Sequence, residues 1–500
     1  MCSSDLGKTA ITPLFHAEVP IVASDHADPE KGSGILMVCT FGDIADVDWW
    51  KQSDLPIKQI IGQNGRLLDV DFTKAPFTSL APQKAGEYYD RLKGSSVKQA
   101  RRRIVECLNE PNSSVDGQDR AIVGEPKPTT HPVKFYEKGD TPLEFIPTRQ
   151  WFIKILDHKE ELIAQGEKIN WHPEYMKTRY SNWVEGLNQD WCISRQRYFG
   201  VPFPVWYPVQ QNGMPDYESP IYAEASQLPV DPLLSCPNGY TEDQRNVPGG
   251  FMGDPDVMDT WATSSLTPQI MSGWEDNPEQ HKTVFPMDIR PQSHEIIRTW
   301  AFYTIVKAWM HEETVPWHNV VISGWVLDPD RKKMSKSKGN VMTPEHLLND
   351  FSSDAVRYWS AKARLGADTT FDEAMLSTGR KLCTKLFNAS KFVMMQIQDA
   401  EIELTPETIK APVDIDFVQQ MKSLIEKSTA DFENFDYAAA LLATENAFWL
   451  FCDHYIELVK SRAYKGEDLT TRHSAMATLD WSLKTFLRLF APFFPYITEE

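Results

Sequence analysis

Hydrophobic and polar positions follow three different rhythms along the chain. From about 1 to 147, short apolar runs such as Val19-Pro20-Ile21-Val22 and Gly34-Ile35-Leu36-Met37-Val38 are cut by turn residues such as Gln63-Asn64-Gly65. That texture predicts a small β-rich domain. One helix, at about 96–108, interrupts it and carries the basic patch Arg101-Arg102-Arg103. From about 148 to 373, strand-like and helix-like segments alternate, the signature of an α/β domain. The run Asn319-Val320-Val321-Ile322-Ser323-Gly324 reads as a buried parallel strand, and 295–310 as a helix beside it. A Pro- and Asn-rich stretch at roughly 207–250 reads as a long surface excursion. From about 374 to 500, apolar residues recur at helical spacing, as in Leu382, Leu386, Phe387, Ala389 and Phe392. Ala439, Leu442, Ala443, Ala447 and Leu450 repeat the pattern, which predicts a helical bundle.

The chain has 500 residues, room for roughly three domains. With 41% hydrophobic and 24% charged residues, disordered and collagen-like classes are excluded. A net charge of −19 argues against a surface that grips nucleic acid throughout, but leaves room for a local basic groove. No apolar run is long enough to span a membrane and no signal segment opens the chain, so no membrane partner is expected. Seven scattered cysteines without a CxxC pair predict neither a disulfide framework nor a zinc ribbon, and favour a reduced, cytoplasmic setting.

The sharpest chemical signal is Arg331-Lys332-Lys333-Met334-Ser335-Lys336-Ser337-Lys338-Gly339-Asn340. Five cationic residues and two hydroxyls fall within eight positions, and a helix follows with Thr343 as N-cap and Pro344 in its first turn. A basic loop beside a parallel strand end suits a triphosphate, because lysine is a mobile point charge that can follow phosphate charge into a transition state. A solvated Lys-rich loop is the plainer alternative.

The pentapeptide Lys333-Met334-Ser335-Lys336-Ser337 resembles the signature loop of class I aminoacyl-tRNA synthetases. Asp190-Trp191-Cys192-Ile193-Ser194-Arg195-Gln196, Pro204-Val205-Trp206-Tyr207 and Asp256-Val257-Met258-Asp259-Thr260-Trp261 resemble the valine/isoleucine/leucine branch, most closely its valyl members. Gly32-Ser33-Gly34 with Asp43 and Asp46 resembles the inserted editing domain of that branch, and Gly379-Arg380-Lys381 with Lys385 the start of its anticodon-binding bundle.

The resemblance implies an α/β fold in three parts. These are an editing insert at 1–147, the second half of a Rossmann-like catalytic domain at 148–373, and a helical anticodon-binding domain at 374–500. It implies ATP with Mg²⁺, valine and tRNA(Val) as partners, and a monomer. Lys336, helped by Lys333, would stabilise the phosphates, with Ser335, Ser337, Gly324, Gln292, Ser293 and Glu295 around the nucleotide. A turn at Gly324 and a helix cap at 292–295 are the plainer alternatives. Trp261, Val257 and Trp206 would wall the amino-acid pocket, ordinary core packing being the alternative. Asp46 and Asp43 would serve editing, or be surface acids. Lys381, Lys385 and Lys391 would meet tRNA phosphates.

The departures from the family pattern are also informative. The His-Ile-Gly-His-type signature and the threonine-rich editing strand are missing, and the chain stops at Glu499-Glu500, so a fragment cut at both ends and inactive alone is expected. Phe135-Tyr136-Glu137-Lys138-Gly139-Asp140 stands where relatives carry a cysteine-containing element, so no structural zinc is expected. Met37 and Gly42 stand where many relatives place lysine and histidine, which leaves the editing contacts open. Two alternatives remain: an isoleucyl enzyme of the same branch, and a non-catalytic tRNA-binding paralogue.

Overall fold

The computed structural model describes all residues except 1–5, 25–26, 29, 31–33, 39–45, 48, 51–54, 129, 131–132, 137–141, 336–338 and 399. They form two compact units, Met1–Arg149 and Gln150–Glu500.

In the first unit, β1 (Thr9–Ile11) pairs antiparallel with β2 (Glu18–Pro20). The apolar run at 35–38 is not a strand, and Ile35, Leu36 and Met37 are exposed. Apolar residues alone do not make a strand, since its backbone groups also need a partner. The described part of this unit is therefore more helical than its texture predicts, with α1 (Pro82–Asp90) and α2 (Val97–Leu108). Tyr89 and Ala85 of α1 pack with Leu67, Phe72 and Leu92 into a small core. The α2 helix starts where the sequence places it. Ser96 accepts from Gln99 N while the Gln99 side chain accepts from Ser96 N, a reciprocal cap that satisfies two otherwise orphaned donors. Gln63-Asn64-Gly65 forms the expected turn, with Gly65 at a φ of 70° that favours glycine.

The second unit is built on a parallel sheet. Strand β3 (Asn170–His172) precedes helix α3 (Lys177–Glu185). Strand β4 (Ser194–Arg195) pairs antiparallel with the later segment Val257–Met258. The excursion carries its own antiparallel sheet of β5 (Val205–Pro208), β6 (Ile221–Tyr222) and β7 (Phe251–Gly253). The partner of β4, β8 (Val257–Met258), leads into helix α4 (Thr260–Ser264). Strand β9 (Met287–Ser293) enters a helical run at His294, with a π turn at Ile297–Ala301 before α5 (Phe302–Glu312). Strand β10 (Trp317–Ser323) lies between β9 and β3, parallel to both. Trp317, Val320 and Ile322 are buried within the core that α3 and α5 cover, as a central parallel strand requires.

Beyond β10, β11 (Val326–Leu327) pairs in parallel with β12 (Thr369–Thr370), and helices α6 (Pro344–Phe351) and α7 (Ser353–Ala361) lie between them in sequence. Thr343 occupies the N-cap of α6 and Pro344 its first turn, but the Thr343 side chain makes no capping bond. The helical region follows: α8 (Glu373–Ile397), α9 (Pro412–Glu433), α10 (Tyr437–Leu450), α11 (Ile456–Lys465) and α12 (Leu469–Phe490). Leu382, Leu386 and Ala389 face its core, whereas Phe387 is exposed. On α10 the buried stripe is Ala440, Leu441, Thr444 and Phe448, so Leu442 and Leu450 point outward against expectation. That helix is apolar on nearly every side, and periodicity cannot choose its inner face.

Candidate active site

Open parallel sheets bind ligands beyond the carboxyl ends of their strands. Here β9 ends at Ser293 and β10 at Ser323, and a cavity of about 680 Å³ lies beyond them, lined in part by Arg179, His294, Glu295, Trp325 and Asp368. His294 organises its floor. Arg179 of α3 stands 3.1 Å from His294 Nδ1, and Asp368 Oδ1 stands 3.3 Å from Nε2. A guanidinium can only donate, so Nδ1 accepts and Nε2–H donates to Asp368. Asp368 Oδ1 also accepts from Trp325 N at 2.8 Å, and that bond, helped by His294 and opposed by burial, holds its carboxyl below the ordinary range.

The basic loop meets this floor. Lys333 Nζ pairs with Glu295 Oε2 and lies 4.7 Å from the centre of the Trp325 ring, a cation–π position. The Lys333 contact keeps the Glu295 carboxyl below its usual pKa. A clasp closes the loop behind Lys333. Asp328 Oδ1 accepts from Lys332 N at 2.7 Å, and its Oδ2 accepts from Asn340 Nδ2 at 2.8 Å. Asn340 Oδ1 in turn accepts from Ser335 N at 2.9 Å. The arrangement presents a fixed ammonium and a carboxylate at a strand-end cleft, chemistry suited to polyphosphate and vicinal hydroxyls.

Lys333 and Glu295 are thus brought together, with Ser335 in the clasp. Lys336 and Ser337 lie outside the described residues. Gln292 and Ser293 sit on the end of β9 just before the cavity without lining it. Gly324 serves the chain itself: a Cβ there would lie 2.0 Å from the Ala367 carbonyl oxygen, so its space is taken by backbone. Val257 is buried against Gly200, and Trp261 packs half-buried on the sheet core. The α4 helix that carries Trp261 is tied to the π turn by Trp300 Nε1, which donates to Ser264 O at 3.2 Å. Trp206 lies elsewhere. It is fully enclosed in the excursion sheet, its indole N–H shared between the Pro232 and Ser235 carbonyls. Of the editing candidates, Asp46 is a half-buried residue of the first unit and Asp43 lies outside the described residues.

Arg179, Trp325, Asp328, Asn340 and Asp368 had no role in the sequence reading. Only the aspartate–asparagine pair flanking a basic run offered a local signal. On the helical region, a second concavity of about 530 Å³ is lined by Phe351, Arg380, Lys381, Lys385, Asn388 and Trp449. Lys385 pairs with Asp453 at 3.4 Å and sits 5.6 Å from the Trp449 ring centre, and Lys391 is exposed farther along α8. Among the described residues, no three His, Cys, Asp or Glu side chains are placed to hold a metal ion, and no helix is long and apolar enough to cross a membrane.

Residues 11–372 match the family of tRNA synthetases class I (I, L, M and V). The chain belongs to that family. Residues 414–500 match the anticodon-binding domain of tRNA ligase, so the synthetase region is followed by a helical module of that kind. The chain is 51% identical over 498 residues to the valine--tRNA ligase of Thermobifida fusca (strain YX), covering 99% of this chain and 55% of that relative. To the valine--tRNA ligase of Leifsonia xyli subsp. xyli (strain CTCB07) it is 48% identical over 502 residues, covering 99% and 56%. It spans about half the length of the curated relatives it matches. Among solved structures, a Mycobacterium tuberculosis methionyl-tRNA synthetase in complex with methionyl-adenylate superposes with a TM-score of 0.54 at 18% identity, over 73% of this chain and 64% of that one. An Agrobacterium radiobacter K84 LeuRS in a ternary complex with tRNA and LeuAMS gives 0.50 at 23% identity, over 62% and 40%. These two likenesses concern the fold of this class I synthetase chain.

Proposed function

We propose that this chain supplies the phosphate-binding and tRNA-contacting part of a valine--tRNA ligase, which joins valine to tRNA(Val) through a valyl-adenylate. The observation that carries this is the Lys333–Glu295 pair, set over Trp325 at the strand-end cleft. Valine joins the α-phosphate by in-line attack of its carboxylate, which releases pyrophosphate. The chain's task is to position the nucleotide and stabilise charge, and it needs no general base. Glu295 accepts from a ribose hydroxyl. Lys333, with Lys336 of the same loop, follows charge onto the leaving pyrophosphate, and Mg²⁺ arrives with the nucleotide. Trp261 and Val257 limit the amino-acid pocket. In this reading 1–147 is editing sequence, 148–373 catalytic and 374–500 anticodon-binding. Arg380, Lys381 and Lys385 meet tRNA phosphates along their concavity. The setting is a cytoplasmic monomer.

An aliphatic pocket separates valine from near-isosteric threonine by only about a hundredfold, a limit known for valyl enzymes themselves. Hydrolytic editing of threonyl-tRNA(Val) completes the reading, with Asp46 facing the ester's ammonium group. Two variants of the full-length protein test it. Lys333→Ala should lower valine-dependent ATP–pyrophosphate exchange by about a hundredfold while leaving the KM for valine nearly unchanged. Unchanged exchange, or exchange fastest with isoleucine, overturns the assignment. Asp46→Ala should let threonyl-tRNA(Val) accumulate, and full deacylation by that variant removes Asp46 from editing.

A further inference from the structure

Helix α7 has two differently built faces. Asp354, Arg357, Tyr358 and, at its C-cap, Lys362 follow one another at helical spacing along one side, with Val356 and Trp359 on another. The polar side is fastened to the helical region. Tyr358 OH donates to the Glu445 carboxylate, 3.0 Å from each oxygen, and Lys362 Nζ donates to Glu445 Oε2 at 3.0 Å. Glu445, on α10, is buried. Arg357 donates to the carbonyls of Pro492 and Phe493 at 2.6 and 3.1 Å, just past α12. Buried Asp354 accepts from Ile497 N at 2.8 Å, in the short helix Pro495–Glu499. Gly379 of α8 makes room for Tyr358, since an added Cβ there would lie 2.9 Å from its ring. The other face of α7 reaches the basic loop. Val356 and Trp359 pack in one apolar cluster with Met334 of that loop, Leu347 of α6 and Leu376 of α8.

We infer that Glu445 is a positioning residue for the synthetic reaction. Through Tyr358 and Lys362 it fixes the register of α7 on the helical region, and α7 passes that register through Met334 to Lys333. A buried carboxylate with its cation adds little net stability over apolar groups of similar volume. What the bonds of this face add is direction, because hydrogen bonds weaken steeply once misaligned and only one seating of α7 satisfies them all. Met334 lies between Lys333 and Ser335, whose N–H is already held by Asn340, so a slip of α7 moves the ammonium at the cleft. Misplacing a charge-stabilising group by about 1 Å costs up to about a hundredfold in rate. The inference rests on the role proposed for Lys333 in the ligase reading. It adds that the helical region contributes to adenylate formation before any tRNA is bound.

The test uses the full-length protein without tRNA, so that lost tRNA contacts cannot enter. Tyr358→Phe/Lys362→Met/Glu445→Leu replaces the polar joint by apolar groups of similar size and should keep the melting temperature close to the parent's. Valine-dependent ATP–pyrophosphate exchange should lose about tenfold in kcat with an unchanged KM for valine, and proteolytic cleavage within 331–340 should speed up. Glu445→Gln, which keeps one acceptor oxygen, should recover most of the rate. Met421→Ala empties a core position of α9 that none of these links touches, and should lower the melting temperature without changing kcat. In a Lys333→Ala background the triple change should cost nothing further, because both act on one group. A parental kcat in the triple variant overturns the positioning role, and so does a loss that multiplies with that of Lys333→Ala. Should the triple variant melt early, Tyr358→Phe alone, which deletes only the hydroxyl, decides on the same two measurements. Absence of valine-dependent exchange in the parent instead removes the ligase reading itself.

Discussion

Asn340 donates through Nδ2 to Asp328 Oδ2 at 2.8 Å, joining residues on either side of the basic loop. Bonds from Asn340 and from Lys332 N hold the Asp328 carboxyl below its usual range, so it stays ionised and accepting at neutral pH. Neither residue carries the loop's charge, yet together they fix where Lys333 emerges. Asp328→Ala or Asn340→Ala should speed proteolytic cleavage within 331–340 and lower pyrophosphate exchange by about tenfold to a hundredfold, since small misplacements of a phosphate-binding group are costly. Unchanged cleavage would show that the clasp does not order the loop.

Glu295 has a folded-state pKa below its ordinary value, chiefly through the Lys333 contact. For a carboxyl shifted this way, the pairing is present above the ordinary range and disappears as pH falls through the lowered value. The KM for ATP should therefore stay flat from about pH 6 to 8 as far as Glu295 is concerned. Glu295→Gln should raise that KM by about tenfold at neutral pH, from a lost charge-assisted bond. A pH-dependent KM in the parent that vanishes in Glu295→Gln would contradict this account.

The two candidate pocket tryptophans should part company. Trp206→Ala should cost about 3–5 kcal/mol of stability by emptying the excursion sheet, without a selective change in valine KM. Trp261→Ala should raise the KM for valine and relax selection against larger side chains. Thermal melts and exchange assays across valine, isoleucine and leucine separate the two outcomes.

Inside the helical region, Asp414 is fully buried and accepts from Tyr455 OH at 2.8 Å, Arg462 NH2 at 2.7 Å and Ser474 Oγ at 2.7 Å. Asp414→Ala would leave a guanidinium and a phenol without their acceptor. It should destabilise this region by about 3–5 kcal/mol. Denaturant unfolding followed by far-UV circular dichroism measures it, and a shift below about 1 kcal/mol would mean that water replaces the lost partner.

Burial pushes the thiols of Cys383 and Cys452 up to about 12. Both should resist alkylation in the native protein at pH 8, because the thiolate is the reactive form. Mass spectrometry after iodoacetamide treatment should find them unmodified until denaturant is added.

Local order carried much of what the sequence determined. The Ser96 cap of α2, the parallel strand through Val320 and Ile322, the inward row Leu382, Leu386 and Ala389, and the Lys333-Met334-Ser335-Lys336-Ser337 loop each depend on residues within a few positions of one another. Periodicity and capping report that range well. Tertiary structure alone decided the rest. On α10, apolar residues surround the helix, and only its neighbours select Leu441 over Leu442 for the core. At 35–38 the apolar run has no partner strand among the described residues. Trp206, a pocket candidate through the family resemblance, is claimed by carbonyls at 232 and 235. The floor of the cleft joins His294 to Arg179 across 115 positions and to Asp368 across 74. Such pairs leave no periodic trace, because what unites them is the sheet that brings distant strand ends to one edge.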